Sequence, residues 1–328
     1  MKKTMIAALV AVSGATAVHA ATINQANPNG SRSTADWNQT STINASNPGP
    51  TWTGAVVPTA GNDYVANARL NSPTSGSPVT FAGDSLELSG VDAQFQMRST
   101  SSANTVTIGS LILNGGGVVP NQDATGANFA TLAGGISVIA DSYLSNLQNA
   151  SGTSGAFRNT RYESTISGAN TLTLRNNAPG FVFLGSSDAS LVIANAGNTF
   201  SGVWDIERTR AIFTSAGAVG AGSLNVNADA YLRIDDSWNG AMTVVDGALV
   251  EVGDDAADTY TFDQGDLVVG GSAFNTLGTY TAAELNAETG TTIFSGAGSI
   301  EVIPEPATLG LVAAFGGAVL FIRRRFMI

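Results

Sequence analysis

The chain contains no cysteine, one histidine (His19) and two lysines (Lys2 and Lys3) among 328 residues. Between Ala21 and Ile303 there is no Cys, His or Lys. Each absence excludes a chemistry. Without cysteine there are no disulfides, so an exported domain of this kind depends on a sizeable core. Without histidine there is no Ser-His-Asp or Cys-His machinery and no ordinary zinc site. Without lysine there is no Schiff base and no phosphate-loop lysine. This middle region retains nine arginines (12 in the chain less three at its end) and 24 acids (25 less Glu305), a net charge of −15. Such a surface repels nucleic acid and anionic lipid and tolerates calcium. The reading is a non-enzymatic protein with no nucleic-acid partner.

The two ends carry targeting patterns. Lys2-Lys3, the apolar run Met5 to Val12 and the small-residue site Val18-His19-Ala20 read as a secretory signal, residues 1–20, cut by signal peptidase between Ala20 and Ala21. At the other end Pro304-Glu305-Pro306 precedes a 16-residue apolar run, Ala307 to Ile322, followed by Arg323-Arg324-Arg325. A bilayer core takes about 20 apolar residues. A 16-residue span is short but workable with local thinning and arginines that reach the interface. Arginines beside a span stay cytoplasmic, so the expected topology is a single C-terminal transmembrane helix with everything before Pro304 outside.

Residues Ile303 to Leu309, the small-residue-rich span with Gly310, Gly316 and Gly317, and Arg323 to Arg325 resemble the PEP-CTERM sorting signal of Gram-negative bacteria. Isoleucine stands where that family more often has valine. The resemblance covers residues 304–328 and implies a substrate of an exosortase, a membrane-embedded transpeptidase-like enzyme. It further implies transient membrane residence, then delivery to the cell surface or extracellular matrix. The alternative is an ordinary, unprocessed membrane anchor.

Residues 21–78 are rich in Asn, Ser, Thr, Pro and Gly, which is loop chemistry. Trp37 and Trp52 within them suit a cap over the open end of a strand stack; the rival is a sugar-stacking platform. From Val79 to Ile303 a small turn followed by Leu-x-Leu or its equivalent recurs, led by Leu172, Leu191, Leu224, Leu249, Leu267 and Ile300. Alternation over four to six residues is a strand signal, and loosely kept repeats of this length predict an all-β, irregular parallel β-helix. A β-sandwich or jelly roll is the alternative. Asn198-Thr199-Phe200-Ser201-Gly202 and the strands after it, within 195–234, resemble the autotransporter-associated β-strand repeat, which implies a right-handed parallel β-helix. Charged residues around Glu207 to Ile212 replace that repeat's usual Gly-Thr-Leu strand. Gly278 to Asn286 reads as the one helical turn, and Gly296 to Val302 as the closing segment.

Few residues in this region suggest chemistry. Asp254, Asp255 and Asp258 lie at short spacing near glycine and are candidate calcium ligands; the alternative is solvated acidic turns that block edge pairing. Asp235-Asp236 invites a glycosidase reading, but neighbours on a strand point to opposite faces. Trp204 and Trp238 are candidates for sugar stacking or for the core. Arg158, Arg161 and Arg175 form a modest basic group in the sequence. The expectation is an exported structural or adhesive protein, with a polysaccharide-binding or polysaccharide-cleaving β-helix as the alternative.

Overall fold

A computed structural model describes residues 20–26, 36–38, 40, 51–73, 77–98, 105–120, 130–146, 159–176 and 190–305. Apolar and polar residues alternate along its strands, so each strand buries one face and exposes the other. In Ser85–Ser89, for example, Leu86 and Leu88 point inward between half-buried polar neighbours. The described residues form an all-β structure of three sheets with 14, 10 and 4 strands. All ladders are parallel except two near the C-terminal end. These join Leu267–Val269 to Ser272–Ala273 and Gly278–Thr281 to Ser299–Ile303. Sandwiches and jelly rolls are built from antiparallel sheets, so this pairing does not fit the alternative fold.

Successive strands alternate between the two large sheets. Leu172–Asn176 lies in the ten-stranded sheet, Ser190–Ile193 in the long one, Val203–Glu207 in the first again and Arg210–Phe213 in the second. Ser223–Val226, Tyr231–Ile234, Met242–Val244 and Leu249–Val252 continue the alternation. Parallel register stacks like on like. One column runs Leu70, Phe95, Val118, Leu144, Leu174, Ile206, Val226, Val244 and Val269 through the ten-stranded sheet. A second runs Val106, Leu132, Tyr162, Ile193, Phe213, Ile234 and Val252 through the long sheet. Members of both columns are buried in one contiguous core. Burying an aliphatic side chain contributes about 1.5–3 kcal/mol.

The pairing corrects the expected repeat. Leu172, Leu224 and Leu267 belong to the ten-stranded sheet, Leu191 and Leu249 to the long sheet, and Ile300 to the four-stranded sheet. Spacing between these leads therefore mixes sheets. Within the long sheet, the register partners Ser190, Arg210, Tyr231 and Leu249 are 20, 21 and 18 residues apart. Leu249 itself faces outward, 43% exposed, and the inward residue of its phrase is Val250. A one-residue slip along a strand reverses the face, and Leu249-Val250 gives two apolar residues to choose between.

The Asn-Thr-Phe-Ser-Gly phrase has a physical account. Asn198 Oδ1 accepts from Ile166 N at 2.8 Å, and its Nδ2 donates to Ala218 O at 2.7 Å. One side chain thus ties three turns of chain together. Phe200 is fully buried beside Trp204, with ring centroids 4.5 Å apart. A Cβ on Gly202 would lie 2.0 Å from Asn170 O, so only glycine fits. The charged stretch turns at Arg208, whose φ of 46° is left-handed, before Arg210–Phe213 enters the long sheet.

The parallel ladders begin well upstream of Val79: Ala21–Asn24 pairs with Asn62–Ala66, and Leu70–Asn71 with Gln94–Met97. Trp37 and Trp52 are 1% and 0% exposed, which rules out the sugar-platform reading. Trp37 stacks on Phe95 at 5.6 Å, and Trp52 Nε1 donates to Trp37 O at 2.9 Å.

Truncation tests the columns. Ile206→Ala removes a fully buried member and should lower unfolding free energy by about 2–5 kcal/mol. Val203→Ala, on the same strand but facing outward, should stay within about 0.5 kcal/mol. Urea denaturation of both variants measures the difference.

Candidate functional site

The C-terminal strand Ser299–Ile303 leads directly into Pro304 and Glu305, the start of the motif expected to direct sorting. It lies between Thr259–Asp263, in parallel register, and Gly278–Thr281, antiparallel. Ile300 and Val302 point into the core. Ile303 pairs with Asp263, and Gln264 N donates to Ile303 O at 2.9 Å. The helix Ala282–Thr289 braces this end. Thr281 and Glu284 form a reciprocal capping box, and the hydrogen bonds from Thr281 backbone and side chain hold the Glu284 carboxyl below its ordinary range. Leu285 is buried, and Asn286 binds both N and O of Phe294, at 2.9 and 2.7 Å. Beneath the strand, Tyr260 OH accepts from Ile234 N at 2.9 Å and Gly253 N at 3.1 Å and faces Ile234 O at 2.9 Å. Burial raises this phenol far above its ordinary value.

Pro304 and Glu305 follow without a spacer. They leave the strand beside the turn Asp263-Gln264-Gly265-Asp266. Burial raises the Asp266 carboxyl, and the charges of Asp263 and Glu305 raise it further. The motif's acid is therefore electrostatically coupled to an acidic turn of the domain. Pro306, the span 307–322 and Arg323, Arg324 and Arg325 lie outside the described residues, as does the signal core before Ala20. Among the described residues no helix is long and apolar enough to cross a membrane. Ala21, the residue after the expected cut, begins the first strand.

Other candidates resolve into local structure. Asp258 Oδ2 accepts from Asp254 N and Asp255 N, both at 3.1 Å, and Asp255 Oδ1 accepts from Ala257 N at 3.1 Å. The carboxylates of Asp255 and Asp258 serve this loop's own backbone. Among the described residues no group of three or more His, Cys, Asp or Glu is gathered to hold a metal ion. Asp235 pairs with Arg233, while Asp236 accepts from Ala216 N and Ser237 N. They sit just after a strand, each with its own partners. Trp204 and Trp238 are buried core residues, not sugar platforms. Arg161 pairs with Glu163 in the long sheet, whereas Arg175 lies over the Tyr143 ring in the ten-stranded sheet. They form no common cluster, and Arg158 lies outside the described residues.

Two features escape a linear reading. Asp205 and Glu207 share the outward face of one strand, and Glu207 is the register partner of Arg175. Asp246 and Glu288 line a cavity of about 440 Å³ with Gly270, Phe274 and Thr291. Both juxtapositions depend on register between strands distant in sequence, so no local motif announces them.

Comparison with protein families, curated proteins and solved structures returns no match to this chain.

The acidic turn gives a pH test. The folded pKa of Asp266 is raised, so its contribution to stability is greatest at low pH and is lost as pH rises through that folded value. Carboxyl titration followed by NMR of the full chain in detergent should place Asp266 above the ordinary aspartate value of about 3.9. Glu305→Gln should move it back toward that value. An unchanged Asp266 titration would show that Glu305 is not coupled to the turn.

Proposed function

We propose that this is an exported surface or matrix protein whose β-domain plays a structural or adhesive role, and that it is sorted through its C-terminal motif by an exosortase-type enzyme. The observation that carries the reading is the junction at Ile303. The last core strand ends there and Pro304 is the next residue. Two prolines fix φ and resist both helix and ladder pairing, which suits Pro304-Glu305-Pro306 to serve as a recognition element. Behind it, Ala307 to Ile322 hold the motif at the membrane face and Arg323 to Arg325 set its orientation. The protein is the substrate in this event, and none of these residues is catalytic.

The domain is read as a right-handed β-solenoid. Its support is the strand-by-strand alternation between two parallel sheets and the separations of about one coil between register partners. Parallel strands require crossover connections, which are right-handed in about 98% of cases. Stacked coils give an extended, rigid surface, which suits display better than turnover.

Intact mass of the native protein decides the sorting step. In cells carrying the sorting enzyme, the mature chain should begin at Ala21 and lack Arg323 to Ile328, with any added mass at the new C-terminus. Retention of Arg323 to Ile328 would leave an unprocessed membrane anchor instead. Pro304→Ala with Pro306→Ala should convert the processed form to the retained one.

A further inference from the structure

The outward face of the ten-stranded sheet carries polar side chains in strict register. Leu174, Ile206 and Val226 point inward, so their neighbours Thr173, Arg175, Asp205, Glu207 and Asn225 point out. Thr173 pairs with Asp205, Asp205 with Asn225, and Asn225 with Thr243. Arg175 pairs with Glu207. The result is a row crossing four strands, with an arginine and a carboxyl beside it.

The row is held rigid. Asp205 Oδ1 accepts from Asn225 Nδ2 at 2.7 Å and from Asn227 Nδ2 at 2.8 Å. The Arg175 guanidinium lies 3.6 Å over the Tyr143 ring, and its buried Nε has no hydrogen-bond partner. Like charges on one face of a sheet are unfavourable, and in the long sheet such charge is neutralised by Arg233 with Asp235 and Glu251. Asp205 and Glu207 sit together; burial and Asp205 raise the Glu207 carboxyl, and Arg175 and Arg208 lower it in part.

We propose that this face binds a neutral polysaccharide laid across the strands over Arg175, Asp205, Glu207, Asn225, Asn227 and Thr243. Neighbouring strands are about 4.8 Å apart, an interval on the scale of one pyranose ring. Each strand thus offers a polar group to successive sugars. Carboxylate, amide, hydroxyl and guanidinium groups pair with hydroxyls of either polarity. The domain's net charge of −15 disfavours a polyanion. The inference rests on the adhesive reading and names what the surface touches; tail processing does not enter its test.

The test is calorimetric titration of the full chain in a non-glycosidic detergent with dextran, with laminarin and with polygalacturonate. Saturable binding of at least one neutral glucan is expected. Asp205→Asn with Glu207→Gln should weaken it at least about tenfold, 1.4 kcal/mol. Arg161→Gln in the long sheet should not. If the double variant does not fold by circular dichroism, Thr243→Arg replaces it, since it obstructs the row from a half-buried outward position. No saturable binding of either glucan, binding of polygalacturonate alone, or equal loss in Arg161→Gln overturns the proposal. Intact mass of the same preparation reads the sorting step separately.

Discussion

Everything in this domain depends on apolar side chains stacking directly on their register partners in neighbouring parallel strands. The column from Leu70 to Val269 and the column from Val106 to Val252 are the two walls of that stack. With no cysteine in the chain, no covalent link backs them up, and stability comes from buried area summed strand by strand. Register is consequently strict. A slip of one residue would move Leu174, Ile206 and Val226 to solvent and bring Arg175, Glu207 and Asn227 into the core. The inward columns therefore fix the outward rows without any additional interaction having to do so.

The sequence shows the strands clearly and their partners poorly. Alternation in Ser85–Ser89 or Leu172–Asn176 is visible to the eye, because each strand has one wet face and one dry face. The capping box at Thr281 and Glu284 is equally local, and so is the helix it starts. Pairing is not local. Leu172 and Leu191 carry the same phrase yet lie in different sheets, because each turn of chain uses two such phrases. Leu249-Val250 offers two apolar residues, and only the neighbours Tyr231 and Leu232 determine which one is buried. Trp37 and Trp52 sit in a loop-like composition, so nothing local marks them as core. The patterns proposed for targeting at the two ends are linear and need no fold to be read. The Asp205–Glu207 row is the reverse case, since its partners Arg175 and Asn225 come from strands before and after it and meet only through register.

The site at Ile303 follows from how the stack is brought to a halt. A parallel sheet left open presents a row of unpaired backbone groups to any other strand. At the C-terminal end antiparallel pairs join the parallel ladders. Ser272–Ala273 turns back on Leu267–Val269, and Gly278–Thr281 lies antiparallel along Ser299–Ile303. The helix Ala282–Thr289 then packs through Leu285 and Asn286 beside Phe294. These elements occupy edges that another parallel strand would otherwise use. The chain leaves the domain from Ser299–Ile303, a strand already paired on both sides. Proline at 304 cannot donate to either neighbouring ladder, so pairing stops where the motif starts. One residue thus ends the strand ladder, and Glu305 after it adds its charge to the acidic turn at Asp263 to Asp266.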